Sequence, residues 1–413
     1  MQIDHSDTLY DIAIIGGGIA GTAIARDAAL RGLSVVLLEK KLFGSGASGK
    51  SSKLIHGGIR YLELFWNELK RGHFSAANRS IGFVFSSLRE ERILRKIAPE
   101  LIRPLSLIIP IYKHGRRKPL SIYFGVCLYT LLGLFSGNFC LPRLFFEKKS
   151  LLTALPGLRP EGLCGGVLIW DSRTDDAALV RATAASAKKN GALCFENAEV
   201  ASFEHDKARE RYAVSAWMPD GDTHRFFAKK LINASGPWID KVRSLRGKLS
   251  DRYILPIAGS HIEIRKFLPN SVIFQASDGR IFFVINHGEI ARIGTTEWPC
   301  PDPDKVAVPE KDIDYLLSSL SRYFLTRTFT REDILTADAG VRPLSANSGA
   351  SDPNAISREH EVRIDAEGVV HVIGVKLTDH RRAAEDAVNR VLPGLMRPGL
   401  RKRSITAITP LDA

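Results

Sequence analysis

The sequence is short of paired cysteine, of long hydrophobic runs and of repetition, and each shortage removes a class of protein. Its five cysteines, Cys127, Cys140, Cys164, Cys194 and Cys300, stand apart with no C-x-x-C pair, which excludes a zinc ribbon, a dithiol redox centre and a disulfide-stapled scaffold. They read as free thiols of a reducing compartment, and no metal site is expected. The most apolar window, Ile122 to Phe135, is 14 residues long, short of the roughly 20 that a helix needs to cross a bilayer. The opening residues carry Asp4 and Asp7 and lack the apolar core of a secretory signal, so a cytoplasmic location is expected. No internal repeat or low-complexity tract occurs. Signatures of RNA-recognition, helix-turn-helix and zinc-finger modules are missing too, so no specific nucleic-acid partner is expected.

What is present is ordinary in bulk. Hydrophobic residues make up 45% and charged residues 25%, as in a soluble globular protein, and 413 residues suffice for two joined domains. The net charge of +13 attracts polyanions, and nucleic acid, anionic lipid headgroups and a phosphorylated substrate all qualify. Charge alone does not choose among them.

The chain opens as a strand, a glycine turn, a helix and a second strand: Tyr10 to Ile15, Gly16 to Gly21, Thr22 to Arg31, Leu33 to Leu38. Phe43 to Ser52 is rich in Gly, Ser and Ala and suits a loop around a ligand. Glu63 to Lys96 has a charged helical pattern, which Pro99, Pro104 and Pro110 end. A helix is expected over Asp175 to Asn190, strands over Cys194 to Trp217, and a further strand at Lys230 to Asn233. Alternating runs such as His261 to Ile264 and Ile281 to Ile285 predict a separate antiparallel sheet. Val369 to Ile373 reads as a last strand, followed by a helix over Thr378 to Leu392.

Gly16-x-Gly18-x-x-Gly21 stands between strand and helix, and Glu39 ends the next strand about 20 residues on. Gly16 permits the tight turn, Gly18 lets backbone approach a pyrophosphate, Gly21 lets helix pack on strand, and the helix N-terminus offers N–H groups to the anion. Glu39 would accept from ribose hydroxyls, which argues against a 2′-phosphate. The triplet itself leaves FAD and NAD both open.

The surrounding motifs are more specific. Asp11-Ile-Ala-Ile-Ile-Gly-Gly-Gly-Ile-Ala-Gly21, Ala25-Arg-Asp-Ala-Ala29, Arg31-Gly-Leu-Ser-Val35 and above all Ser51-Ser-Lys-Leu-Ile-His-Gly-Gly-Ile-Arg-Tyr-Leu-Glu63 resemble the FAD-dependent glycerol-3-phosphate dehydrogenases. Asn233-Ala-Ser-Gly-Pro-Trp238, Gly259-Ser-His261, Gly294-Thr-Thr296, Gly340-Val-Arg-Pro-Leu344 and Lys376-Leu-Thr378 follow in that family's order, so that the resemblance runs from about Tyr10 to Leu392. At the last motif the family usually reads Gly-Gly-Lys-Leu-Thr-Thr-Tyr-Arg, and this chain reads Gly374-Val-Lys-Leu-Thr-Asp-His-Arg381.

The resemblance implies an α/β fold: a Rossmann-like FAD-binding domain of the glutathione-reductase and D-amino-acid-oxidase type, with an inserted antiparallel-sheet substrate domain. On that basis residues 1–80, 150–250 and 340–395 form the FAD-binding domain. Residues 81–149 and 251–339 form the substrate domain, with a membrane-contact segment over 105–135, and 396–413 form a basic tail. It further implies that Gly16, Gly18, Gly21, Glu39, Ser51, Ser52, Lys53, His56, Gly57, Ala234, Gly236 and Gly374 bind FAD. Arg60, Tyr61, His261, Arg342, Lys376 and Thr378 would hold the substrate, with His261, Arg342 and Lys376 in the catalytic roles. Two Arg and one Lys suit a phosphate dianion, and His261 suits the base that takes the hydroxyl proton.

The implied reaction oxidises sn-glycerol 3-phosphate to dihydroxyacetone phosphate by hydride transfer from C2 to flavin N5, with electrons passed to a membrane quinone or another acceptor. Lys113, Arg116, Arg117 and Lys118 before the apolar window suit peripheral contact with the inner face of the cytoplasmic membrane. Four other readings remain at this level: a diverged oxidoreductase of the same fold acting on another hydroxy or amino acid, an NAD-linked dehydrogenase, a flavoprotein binding RNA through its basic face, and a non-catalytic flavin-bound scaffold. Nothing in the sequence bears on oligomeric state.

Overall fold

The computed structural model of the chain describes residues 8–58, 60–113, 119–137, 140–346 and 359–412, and leaves the side chains of Arg60, Glu63 and Asn67 undescribed. The chain begins with β1 (Leu9–Ile15), α1 (Ile19–Leu30) and β2 (Val35–Leu38). Both strands run apolar almost without interruption because helices cover one face and a β-hairpin layer covers the other. Next come β3 (Leu54–Ile55), α2 (Arg60–Lys70), α3 (Phe74–Ile97), β4 (Ile102–Tyr112), α4 (Pro119–Ser136), β5 (Arg143–Phe145), α5 (Lys148–Ala154) and β6 (Leu163–Thr174). Asp175 then caps α6 (Asp176–Lys189) by accepting from the Ala178 amide at 3.0 Å.

Three short strands, β7 (Leu193–Phe195), β8 (Glu199–Asp206) and β9 (Arg211–Trp217), lead into β10 (Thr223–Asn233) and α7 (Ile239–Ser244). The middle of the chain supplies β11 (Ile254–Arg265), β12 (Ser271–Gln275), β13 (Ile281–His287), β14 (Ile290–Gly294), β15 (Trp298–Pro299), α8 (Glu310–Ser321) and β16 (Ile334–Ser345). It closes with β17 (Glu361–Ile364), β18 (Val370–Ile373) and α9 (His380–Val391).

Two sheets result. In the first the order is β17-β18-β10-β1-β2-β7, parallel from β18 to β7, with the β8–β9 hairpin attached through β10. Strands from residues 9–38, 193–233 and 361–373 thus assemble one sheet. Its helical face is covered by α1, α6 and α9 around Ile12, Ile14, Ile24, Leu37 and Leu179. Each such side chain taken out of water contributes about 1.5–3 kcal/mol. The second sheet has the order β15-β11-β14-β13-β12-β4-β6-β3, with β16 on β11 and β5 on β6, and it is antiparallel except where β12 meets β4.

The division between the sheets falls elsewhere than the sequence suggests in one respect. β3 and β6 lie in stretches assigned above to the nucleotide domain, yet both pair in the second sheet, β6 with β4 over its whole length. Alternation in a sequence fixes which face a side chain takes, not which strand lies alongside.

Two further features exceed the sequence reading. The apolar window is part of an 18-residue helix, α4, long and apolar enough by length and composition to cross a membrane, with 22% of that window buried. Leu120, Phe124 and Phe135 are exposed on it. The basic tail is docked: Arg26 donates to the Thr409 and Pro410 carbonyls, Arg31 to that of Lys402, and Leu411 is buried in the core of the first sheet.

Candidate functional site

Between the sheets lies a cavity of about 1060 Å³, at the upper end of what cofactor sites span, about 300–1,000 Å³. One end is the glycine turn. Gly16 has φ +105°, a conformation L side chains rarely adopt, and a Cβ there would meet the Ala234 carbonyl. Gly21 sits in the first turn of α1 directly on the Gly16 carbonyl, 1.8 Å from where its Cβ would be. This contact brings the α1 N-terminus against the end of β1 and points that helix at the cavity. Glu39 fixes the turn from the side, accepting from the Gly17 amide at 2.6 Å and the Lys41 amide at 2.9 Å. Ser48 reaches in from the following loop and accepts from the Ile19 amide at 3.0 Å.

At the same end the two sheets are clasped across the rim. Asp304 accepts from Lys40 Nζ at 2.8 Å, Trp238 Nε1 at 2.7 Å and Lys241 Nζ at 2.5 Å. These groups hold the Asp304 carboxyl far below the usual carboxylate range against the opposing effect of its partial burial. Lys40, Trp238, Lys241 and Asp304 all border the cavity.

The far end is built on the second sheet. β11 and β16 pair so that His261 stands opposite Asp338 and Ile257 opposite Arg342. Asp338 and Arg342, four residues apart on one strand, share a face. His261 is buried, with Nε2 2.9 Å from Ser52 Oγ and Nδ1 lacking a hydrogen-bond partner among the described residues. Burial first, then the charges of Arg292, Arg342 and Lys53, hold its pKa well below the ordinary imidazole value, so the ring is neutral at pH 7. Arg292 beneath it is paired in two bonds with Asp338, at 2.7 and 2.8 Å, and with Glu263 at 2.8 Å. Arg342 is aimed by Glu297, 2.7 Å from its Nη1, and by Thr295 Oγ1, 3.2 Å from its Nη2.

Between these ends runs the segment 47–58. Asp176, fully buried at the start of α6, accepts from the Ser51 amide and hydroxyl and from Lys53 Nζ at 2.6 Å, while Arg292 donates to the Ser51 carbonyl. His56 and Thr378 bond reciprocally: the His56 amide donates to Thr378 Oγ1 at 3.1 Å, and that hydroxyl donates to the His56 carbonyl at 3.2 Å. Lys376 Nζ lies 3.3 Å from Tyr61 Oη and 4.1 Å from the centre of the Phe83 ring.

Most of the residues selected from sequence therefore converge. Gly16, Gly18, Glu39, Ser51, Ser52, His56, Tyr61, Ala234, Gly236, His261, Arg342, Gly374, Lys376 and Thr378 all border the one cavity. Three do not. Gly21 is behind the turn, Lys53 points at Asp176 away from the cavity, and Gly57 turns its amide to Tyr129 at 2.9 Å. The Arg60 side chain, and Arg116, Arg117 and Lys118, lie outside the described residues. Sequence reasoning missed Asp176, Glu297, Ser48 and the Asp304 clasp. Asp175-Asp176 just before a helical pattern was the one available signal, since the partners of the others are distant in the chain.

Comparison with known proteins gives concordant results. The family model described as FAD dependent oxidoreductase matches residues 11–377. An aerobic glycerol-3-phosphate dehydrogenase of Staphylococcus epidermidis is 34% identical over 391 residues, covering 93% of this chain and 67% of that one. The mitochondrial glycerol-3-phosphate dehydrogenase of Homo sapiens is 33% identical over 92% of this chain, which spans 52% of its length. Among solved structures, glycerol-3-phosphate dehydrogenase from Bacillus halodurans complexed with FAD superposes with a TM-score of 0.77 at 28% identity, covering 98% of this chain and 68% of that one.

Proposed function

Since the chain belongs to the FAD dependent oxidoreductase family, we propose that it oxidises sn-glycerol 3-phosphate to dihydroxyacetone phosphate and passes the electrons to a membrane quinone. The observation that carries this reading is the pairing, in one cavity, of a dinucleotide turn at one end with a neutral histidine between cations at the other. The residues suit FAD. The Gly16–Gly21 turn and the α1 N-terminus would hold the diphosphate, Glu39 the ribose, and Ser51, Ser52 and His56 the ring system. Bound there, FAD supplies the two-electron acceptor.

The chain's own residues do the rest. Arg342, with its fork oriented by Glu297, and Lys376, held over Tyr61 and Phe83, bind the phosphate dianion. His261 takes the C2 hydroxyl proton at Nε2, directly or through the Ser52 hydroxyl 2.9 Å away. Burial and the surrounding cations keep its lone pair available at neutral pH, and the arriving dianion offsets the cations and makes the imidazolium easier to form.

Peripheral attachment to an anionic membrane is supported by α4, whose Leu120, Phe124 and Phe135 are exposed, and by Lys113, Arg116, Arg117 and Lys118, which precede it in the sequence. Two measurements test the reading. Anaerobic addition of glycerol 3-phosphate to the yellow holoenzyme bleaches the flavin absorbance if it is right, and an unchanged spectrum refutes the substrate. Serine at Leu120, Phe124 and Phe135 lowers co-sedimentation with anionic vesicles, and retention equal to wild type refutes the membrane contact.

A further inference from the structure

Under His261 one buried guanidinium, unused in the reaction described above, joins the second sheet to the 47–58 segment. Arg292 on β14 is 3% exposed. Its Nε donates to the Ser51 carbonyl at 2.9 Å, Nη1 to Glu263 and Asp338 at 2.8 Å each, and Nη2 to the other Asp338 oxygen at 2.7 Å. Ser51 precedes the residue whose hydroxyl meets His261 Nε2, so the guanidinium fixes the backbone from which Ser52 reaches the ring. Two places along β14, Gly294 stands opposite His261. A Cβ there would lie 2.3 Å from the imidazole, so the ring is seated against bare backbone.

The charged groups facing the ring are Arg292 on β14, Asp338 and Arg342 on β16, Glu263 on its own strand, and Lys53 from the 47–58 segment. Each cation has a carboxylate partner: Asp338 and Glu263 for Arg292, Glu297 for Arg342, Asp176 for Lys53. Among the described residues only one of these carboxylates comes near an imidazole nitrogen, Asp338, with Oδ1 4.0 Å from His261 Nδ1. That is too long for a hydrogen bond, and both Asp338 oxygens are taken by Arg292. For Nε2 to accept a proton, the neutral ring must carry its own at Nδ1, the nitrogen turned to Asp338. A carboxylate closed onto that nitrogen would favour the imidazolium and fill Nε2 before substrate arrives.

We propose that Arg292 is a positioning residue for His261: it holds the Asp338 carboxylate back from Nδ1 and, through the Ser51 carbonyl, sets the Ser52 hydroxyl against Nε2. The ring thus waits as a neutral base. Once the substrate hydroxyl proton has passed to Nε2, the imidazolium has the Asp338 carboxylate 4.0 Å from its Nδ1 as counter-charge. Neither Arg292 nor Asp338 gains or loses a proton in that step. The inference deepens the reading above and rests on it only for His261 as the base. Its test follows the imidazole itself, without substrate, so failure of glycerol 3-phosphate leaves it standing.

The test is the titration of His261 in the oxidised holoenzyme, read by NMR from isotope-labelled histidine, the signal being identified by its loss in His261→Gln. Arg292→Met frees Asp338 to close on Nδ1, and an opposite charge in contact moves a titration by about one to three units. His261 should therefore titrate at least about one unit higher in Arg292→Met than in the double variant that adds Asp338→Asn. In the wild-type background Asp338→Asn should shift it by less than half as much. Equal titrations in the single and double variants, or equal effects of Asp338→Asn in both backgrounds, overturn the proposal, because Arg292 would then contribute only its own charge. An acid limb of kcat/KM that does not follow the rise in Arg292→Met would refute His261 as the base instead. Should the variants not fold, the nitrogen resonances of wild-type His261 at neutral pH decide. A neutral ring protonated at Nδ1, with no carboxylate hydrogen bond there, supports the proposal, and any other state overturns it.

Discussion

Replacing Arg342 separates substrate binding from everything else the cavity does. Its guanidinium is held by Glu297 at 2.7 Å and Thr295 at 3.2 Å on a rigid strand pair, with the side chain 29% exposed. A charge-assisted hydrogen bond is worth about 1.5–3 kcal/mol, so a forked contact to phosphate is worth about 3–6 kcal/mol. Sharing of the cation with Glu297 and partial access to water put the expected loss in Arg342→Ala at the lower end, about 3 kcal/mol, or roughly 150-fold in kcat/KM. Because phosphate is held alike before and during the chemistry, most of the loss falls on KM. Arg342→Lys keeps the charge but not the fork and loses roughly tenfold. Steady-state kinetics with a dye acceptor measures both, and the flavin absorbance per polypeptide confirms a loaded cavity. A loaded Arg342→Ala enzyme with kcat/KM within about threefold of wild type refutes the assigned role, since even one charge-assisted bond is worth more.

Three further outcomes are expected. Gly21→Ala places a methyl 1.8 Å from the Gly16 carbonyl and must open the turn, so the purified protein should be colourless and refuse added FAD; stoichiometric flavin would contradict the turn's role. Asp304→Asn loosens the rim clasp to Lys40, Trp238 and Lys241; since exposed ion pairs are worth about 0.2–1 kcal/mol each, FAD should leave roughly threefold to tenfold faster, with added salt speeding the wild type toward the variant. An unchanged rate in a fluorescence release assay would count against the clasp. Asp11 accepts from Arg397, Lys229 and Ser34, which hold its pKa down to about 2 against the raising effect of burial. A depressed acid stabilises above its unfolded pKa of about 3.9, an advantage lost as pH falls through the folded value. The Tm gap between wild type and Asp11→Asn should therefore shrink as pH falls from about 5 to 2, and a constant gap would refute the assignment.

Local order was readable wherever a short stretch determines its own fate. β1, α1 and β2 follow from apolar runs around the glycine triplet, and α6 and α9 from their periodicity, each within two or three residues of the expected ends. α4 was underestimated because Pro119 and Leu120 begin the helix before the apolar window does, as Pro suits a first helical position. Residues that act through distant partners were not readable. Nothing in the sequence near Glu297 points to Arg342, 45 positions away, nor near Glu91 to Ser172, 81 positions away. The site motifs were recognisable as a set through their resemblance to a family, yet that resemblance said nothing of which member faces the cavity and which braces it, as Lys53 does on Asp176.

That distinction matters most where the chain departs from the family's late motif. Asp379, next to cations meant for a phosphate, could have opposed an anionic substrate. Instead it is buried and accepts from Ser87 on α3, at 3.1 and 3.3 Å, and burial raises its pKa against the pull of Lys376. His380 faces inward as well, with Nδ1 2.6 Å from the Leu377 carbonyl and a pKa pushed down to about 4 by burial. Neither borders the cavity; Val375 does, while packing against the core of the first sheet and keeping an ordinary backbone conformation. Of the three changes, Asp379 thus ties α9 to α3 and His380 closes on the turn before α9, and Lys376, Thr378 and Arg342 still border the one cavity. The Asp379 carboxyl is turned to Ser87 outside the cavity, and burial raises its pKa, so it adds little repulsion to a bound dianion. If it acted on the bound dianion, Asp379→Asn would lower KM for the phosphorylated substrate severalfold; its place outside the cavity wall, facing Ser87, requires KM to stay within about twofold.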